Sequence, residues 1–254
     1  MKKEHLFDNG VKVYDHQLLP IQRERYKSRN VHEEEEEDLF VKIIGGLHKD
    51  AVYVSVGTAI GYYPLLAKRL KNDINVHCFE PLPLHLEYLK ENMELNGLAP
   101  SAFSVYDVAV STEHGEVSFA NESYGSSIVS NPTKEPLMMF LKNMVKRLLG
   151  RATYHLSISV KSIPMIDLFD LIKSPTVDFL QMDIQGFEQP VLEKYFADLD
   201  SSKRVIKSFL IGTHSIEIHK ACKSLFEKNG YSIILDEYET QHQPDGIIYC
   251  EIDG

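Results

Sequence analysis

Val52-Tyr-Val-Ser-Val-Gly-Thr-Ala-Ile-Gly-Tyr-Tyr63, followed by Ile74-Asn-Val-His-Cys-Phe-Glu80, decides the fold. Val52, Val54 and Val56 form a β-branched run that stops at Gly57, and Ile60, Leu65, Leu66 and Leu70 then recur at helical spacing. The glycines therefore sit where a strand turns into a helix. Gly57 is expected to let the backbone pass close to a ligand, and Gly61 to let the first helical turn pack on the sheet. Glu80 ends the next apolar strand nineteen residues after Gly61. That is near the ~20-residue offset at which an acid accepts hydrogen bonds from both ribose hydroxyls. A glycine turn alone serves equally well to reverse the chain; the acid at the second strand tip favours a nucleoside site. Ala59 stands where the dinucleotide fingerprint Gly-x-Gly-x-x-Gly requires glycine, which disfavours a bound pyrophosphate and a nicotinamide-dependent oxidoreductase.

The formal net charge of -10 over 254 residues argues against nucleic acid or an anionic membrane as the main partner. The length fits one α/β domain with its own core. Cys78, Cys222 and Cys250 fall in separate apolar patterns, so buried thiols are expected rather than disulfides or a metal site. The N-terminus lacks an apolar signal core and no run approaches a membrane span, which points to the cytoplasm and to no stable membrane insertion.

Residues 1–50 read as an N-terminal arm and helix packing on the core. The first 32 are polar and irregular, with a basic patch at Arg23-Glu-Arg-Tyr-Lys-Ser-Arg29 that lies over the domain or a neighbouring subunit and helps shape a substrate mouth. The acidic run Glu33 to Asp38, followed by Leu39, Phe40, Ile43 and Ile44 at helical spacing, reads as a solvated helix start.

Residues 51–254 alternate strand and helix. Strands are expected at 51–56, 74–79, 102–109, 176–182 and 205–212, and helices at 60–71, 83–96, 164–171, 187–197 and 216–229. His114-Gly-Glu-Val-Ser-Phe119 reads as hairpin-like. A closing pair near 231–237 and 246–251 is antiparallel because the connection through Pro244-Asp-Gly246 is short. The expectation is a doubly wound, Rossmann-like α/β fold with a mostly parallel seven-stranded sheet and one antiparallel strand near its C-terminus. An inserted segment at about 131–155 carries an amphipathic helix, Leu137 to Leu149, which packs on its own domain, covers the substrate, joins a homo-oligomer or docks at a membrane surface.

The turn at 54–63, with Cys78-Phe-Glu-Pro81, Leu89-Lys-Glu-Asn-Met-Glu-Leu-Asn-Gly97, Val108-Ala-Val-Ser111 and Phe179-Leu-Gln-Met-Asp-Ile-Gln-Gly-Phe-Glu188, resembles the FkbM-type methyltransferase family in order and spacing. The resemblance implies a class I fold, S-adenosylmethionine as donor, and O-methylation of a hydroxyl on a small-molecule or glycan acceptor. It departs from the family's Asp-Val-Gly-Ala-Asn-Ile-Gly at Ser55 and Ala59, losing an acid that commonly helps hold the donor's amino group. Gln185 stands where an acid is common, while Asp183, Gly186 and Glu188 are retained. The alternative reading is a methyltransferase-like scaffold that has lost catalysis.

Ligands of such a sheet bind outside the carboxyl ends of the strands, where Gly57, Glu80, Asp107, Asp183 and Thr213-His214 all fall. The expected cofactor residues are Val56, Gly57, Thr58, Ile60, Gly61 and Tyr62 in the turn, and Glu80 on the ribose. Pro81 and Leu82 flank the adenine, Asp107, Val108 and Ala109 meet its edge, with Asp107 alternatively an ordinary turn residue, and Asp183 lies beside the donor. Methyl transfer is an in-line displacement, so alignment matters most, but an aliphatic hydroxyl also needs a base. Asp183 is the first choice for that base; it also suits the donor's amino group or a helix cap. His214 serves as a base or as a cap, and Glu188 as a catalytic group or as a complement to a helix dipole. Asp183 with His214 is too small a set to commit to a metal. Ser126 and Ser127 touch substrate or form a flexible turn.

Overall fold

The computed structural model describes residues 2–119, 158–199, 204–238 and 245–253. Ser126, Ser127 and the 137–149 helix lie outside these residues. The chain opens with an antiparallel pair, β1 (Glu4–Leu6) and β2 (Lys12–Tyr14), then α1 (Pro20–Arg25) and α2 (Glu34–Gly46). The first alternating half is β3 (Val52–Val56), α3 (Tyr62–Leu70), β4 (Asn75–Phe79), α4 (Pro83–Leu95) and β5 (Phe103–Tyr106). A three-stranded sheet follows, formed by β6 (Ala109–Ser111), β7 (Gly115–Phe119) and β8 (Ile158–Pro164). The second half is α5 (Leu168–Ile172), β9 (Thr176–Val177), β10 (Phe179–Met182), α6 (Glu188–Asp198), β11 (Val205–Ile206), β12 (Ser208–Thr213), α7 (Ile216–Lys228), β13 (Tyr231–Glu237) and β14 (Gly246–Ile252).

The main sheet has seven strands in the order β13-β14-β12-β10-β3-β4-β5, with β14 antiparallel to both neighbours and the remaining pairings parallel. The chain winds outward from β3 to β5, then resumes on the other side of β3 at β10. The tips of β3 and β10 therefore flank the topological switch point, where ligands of such sheets bind. Both strands are buried on both faces, as parallel strands under helices must be. Tyr53 and Phe179 pack with Phe40 of α2 and Leu66 of α3, whereas Val54, Val56, Leu180 and Met182 pack with Val191, Phe209 and Ile211.

Four local expectations are corrected. The strand expected at 102–109 ends at Tyr106, and Ala109–Ser111 leaves for the smaller sheet, pairing parallel to β8. Residues 115–119 make no hairpin of their own but pair antiparallel with β8. The strands expected at 176–182 and 205–212 are each interrupted, at Asp178 and Lys207, whose side chains pair at 2.7 Å. The first 32 residues are not an irregular arm: Phe7, Val11, Val13, Leu18 and Tyr26 join the core formed by Phe40, Tyr53 and Leu66. Their apolar residues are too sparse to show a period, which is why the segment reads as irregular. No helix among the described residues is long and apolar enough to cross a membrane.

Gly57 is where the two halves meet most closely. Its φ is +79°, and a Cβ placed there would lie 1.9 Å from the Asp183 carbonyl oxygen. Gly57→Ala is expected to destabilise the protein by roughly 2–5 kcal/mol, combining left-handed strain with overpacking against backbone. Denaturant unfolding checks this, and a loss below 1 kcal/mol would mean that the strand tips separate freely.

Candidate active site

The turn after β3 is built around left-handed backbone. Gly57, Ala59 and Gly61 have φ of +79°, +50° and +88°. The neighbours that exclude a side chain at the glycines belong to the chain itself: Asp183 O at Gly57, and Leu89 Cδ1 of α4, 2.3 Å from an added Cβ, at Gly61. So the close approach at Gly61 is to Leu89 of α4 rather than to the sheet. Ala59 is strained for an L-residue, and the strain has a use. It aims the Ala59 N–H at Glu80, whose Oε2 accepts it at 2.8 Å. Glu80 Oε1 accepts the Leu82 N–H at 2.9 Å and lies 3.2 Å from His85 Nδ1. The Glu80 carboxylate is thus locked at the tip of β4, 3% exposed, with a fixed direction.

A cleft of about 300 Å³ opens over these tips. It is lined by the expected Val56, Gly57, Thr58, Ile60 and Tyr62, by Glu80, Pro81 and Leu82, and by Ala109 and Asp183. Gly61 is not part of the lining. Asp107 and Val108 are corrections: Asp107 is exposed and faces a separate groove beside Lys90 and Glu94, and Val108 is buried in the core. The chain turns after Tyr106, so Ala109 and Val110, not the acid, reach the cleft. Phe79, Leu82, Ala109, Val110 and Phe119 make this end apolar. Thr58 is buried, and its hydroxyl donates to Ser55 O at 3.1 Å.

At the other end Asp183 follows β10, its side chain 39% exposed, and its N–H donates to Val56 O at 3.1 Å. Gln185, with φ +56°, turns its amide back to donate to Asp183 Oδ1 at 2.9 Å. An acid at position 185 would repel that carboxylate; glutamine holds it. Behind Asp183 stands His214, with Nε2 3.3 Å from Asp183 Oδ1 and 3.7 Å from Asp245 Oδ1, and Nδ1 3.2 Å from Glu188 Oε1. Glu188 is fully buried, and its Oε1 accepts the Ile184 and Gly186 N–H groups at 3.0 and 3.1 Å.

Desolvation in the cleft pushes the Asp183 carboxyl up to about 7, against the charge of His214 and with repulsion from Glu33, Glu188 and Asp245 added. Desolvation also works against charge on His214, but Glu188, Asp183 and Asp245 outweigh it and raise its pKa to about 9. Two expectations change accordingly. Neither His214 nor Glu188 lines the cleft: His214 stands behind Asp183 with its pKa raised to about 9, and Glu188 is sealed under the 184–186 turn. Their common effect is to position and tune Asp183. The sequence pattern did not mark a metal site. Here one donor atom each from Asp183, Glu188 and His214 lies within 4.8 Å of the others, a spacing that one cation could span.

Several lining residues were missed, five of them polar groups from outside the matched alternation. Gln22, Arg25, His32 and Glu33 bring the N-terminal segment over the cleft, and Asp245 enters from just before β14. The acidic run is not a solvated face: Glu36 and Glu37 are 4% and 3% exposed. Gln181 Nε2 donates to Glu36 Oε1 at 2.6 Å, and Tyr62 Oη donates to Glu37 Oε2. Glu33, Glu36, Glu37, Phe40, Ile43 and Ile44 recur at helical spacing, so the period, rather than the charge, carried the correct face.

The family described as "Methyltransferase FkbM domain" matches residues 55–233. The chain belongs to that family. It is therefore a methyltransferase, and S-adenosylmethionine is its methyl donor. Among solved structures, it resembles an FkbM methyltransferase from Methylobacillus flagellatus KT at 17% identity, with 81% of this chain and 45% of that one covered, TM-score 0.48. It also resembles a precorrin-6y C5,15-methyltransferase from Geobacter metallireducens GS-15, at 12% identity, with 88% and 90% covered, TM-score 0.46. A Pyrococcus abyssi tRNA (uracil-54, C5)-methyltransferase, in complex with S-adenosyl-L-homocysteine, matches at 12% identity, 99% and 44% covered, TM-score 0.49. No curated protein matches the sequence. Arg25, Glu33 and Asp245 lie outside the residues that match the family.

In the FkbM-family chain alone, Asp183 is expected to titrate near pH 7. His214→Asn removes the cation that lowers its pKa and should move the titration upward. Carboxyl-carbon NMR reads both; an Asp183 titration near the ordinary value of about 4 would remove the neutral-pH base from this site.

Proposed function

We propose that this methyltransferase acts on a hydroxyl of a sugar, glycan or natural-product acceptor, with Asp183 as the general base. The observation that carries the reading is the Asp183 carboxylate at the switch point, partly open to the cleft, with a pKa raised to about 7. A base is most effective when its pKa lies near the working pH. Asp183 takes the hydroxyl proton as the oxygen attacks; Gln185 fixes the Oδ1 that faces it, and His214 keeps the carboxylate ionised. When bound, S-adenosylmethionine supplies a methyl group on a sulfonium, an electrophile that needs alignment more than further activation.

The cleft fits that donor. Glu80 is the ribose acid, its two oxygens oriented by backbone N–H groups and Oε2 retaining a lone pair for a hydroxyl. Pro81, Leu82, Ala109 and Phe119 give the base an apolar slot. Three buried, unpaired cysteines among the described residues suit a reducing compartment, and with it the cytoplasm.

S-adenosylhomocysteine and S-adenosylmethionine should raise the unfolding temperature where NAD does not; a ligand at 100 times its Kd contributes about 2.7 kcal/mol. Glu80→Ala is expected to weaken S-adenosylhomocysteine by roughly 10- to 100-fold in calorimetry, the loss of charge-assisted hydrogen bonds. If neither adenosyl compound binds, the methyltransferase-like scaffold becomes the better reading.

With an acceptor in hand, kcat/KM should rise about tenfold per pH unit up to a break near 7, because Asp183 acts in its ionised form. Asp183→Asn should cost about 10²–10⁴-fold in kcat. A flat profile through pH 7 would assign the proton to another group.

A further inference from the structure

The amino-acid end of the donor is a zwitterion, and its two charges need partners of opposite sign. Position 55, at the end of β3, holds an uncharged Ser55 that is buried and already accepts from the Thr58 hydroxyl at 3.2 Å. Its neighbour across the sheet, Gln181, is bonded to Glu36 of α2 and to the Tyr53 hydroxyl. Positions 55 and 181 therefore offer that end of the cleft no charge, and Asp183 is engaged by Gln185 and His214.

The N-terminal segment does. Arg25 is the single arginine or lysine among the described residues that line the cleft. Its Nε and Nη1 are buried without a hydrogen-bond partner, and Nη1 stands 3.6 Å from Glu33 Oε1, beyond hydrogen-bond length. Glu33 is 11% exposed, and its Oε2 receives only a long contact from the Tyr63 hydroxyl at 3.4 Å. Of the carboxylates lining the cleft, Glu80 is committed to the adenosine end, and Asp183 and Asp245 flank His214. Glu33 and Arg25 are left as a loose pair, unlike charges beside each other with hydrogen-bonding capacity unspent. Both interact electrostatically with Asp245, which places them at the Asp183 end, where the methyl group must be delivered.

We infer that Arg25 and Glu33 form a zwitterion clamp for the methionine end of the donor, Arg25 binding the α-carboxylate and Glu33 the α-ammonium. The inference rests on the donor reading above and assigns part of the cofactor site to a segment outside the matched domain. A guanidinium fork suits a carboxylate in two-point contact, and a buried carboxylate gains most from an incoming cation.

The test compares two ligands by calorimetry: S-adenosylhomocysteine, which carries the amino-acid end, and 5′-methylthioadenosine, which lacks it. Glu33→Gln and Arg25→Gln should each weaken S-adenosylhomocysteine by roughly ten- to a hundred-fold, while 5′-methylthioadenosine binds as it does to the parent chain. Retained 5′-methylthioadenosine binding also reports a folded variant. Should Arg25→Gln not fold, Arg25→Lys, which keeps the charge but not the fork, should give the same selective loss at smaller size. Unchanged S-adenosylhomocysteine affinity in the variants overturns the clamp, as does an equal loss for both ligands. A parent chain that binds neither ligand overturns the donor reading itself, and the clamp with it.

Discussion

The site depends on an approach of backbone to backbone, where the tip of β3 meets the tip of β10. Asp183 N–H donates to Val56 O, and its carbonyl sits where a side chain at 57 would be. This contact closes the switch point at a fixed distance. It also places the Asp183 carboxylate and the Gly57 turn in one cleft without either having to reach. A turn forced into left-handed backbone at 57, 59 and 61 then sends one N–H to Glu80. Strand pairing, turn strain and the orientation of two acids are in this way a single constraint.

Charge is arranged around that constraint in layers. The cleft surface holds Asp183, Glu33, Glu80 and Asp245, and beneath it lie Glu36, Glu188 and His214. Burial raises the proton affinity of Glu33, Glu36, Asp183 and Asp245, repulsion between acids adds to it, and the protein offsets this with fixed dipoles. Glu188 takes two backbone N–H groups, Gln181 supports Glu36 and Gln185 supports Asp183. A negative, desolvated cleft also favours a ligand that arrives carrying positive charge.

Much of this was legible in the sequence because it is periodic or local. The alternation of β-branched runs with helical patterns gave the mostly parallel seven-stranded sheet, and the Gly57–Glu80 spacing gave two residues that line one cleft. The failures have separate physical causes. Asp107 lay at a strand tip by pattern, but the chain turned a residue early and put Ala109 in the cleft. His214 and Glu188 were rightly placed near Asp183, yet which of the three faces the cleft depends on packing depth, which no linear pattern encodes. Arg25 and Asp245 come from sequence positions far from the turn, and only tertiary closure brings them in. Glu33, Glu36 and Glu37 were recoverable: their spacing continues into Phe40, Ile43 and Ile44, but high charge masked the period.

The cleft has two walls written in separate stretches of the chain. The strand tips lie within residues 55–233, the span shared with the family, whereas Leu19, Ile21, Gln22, Arg25, His32 and Glu33 precede it and Asp245 follows it. None of the outer residues takes part in the pairing of β3, β4 and β10. Such a layout separates inheritance from novelty: one segment can drift toward a new ligand while the other preserves the geometry of transfer.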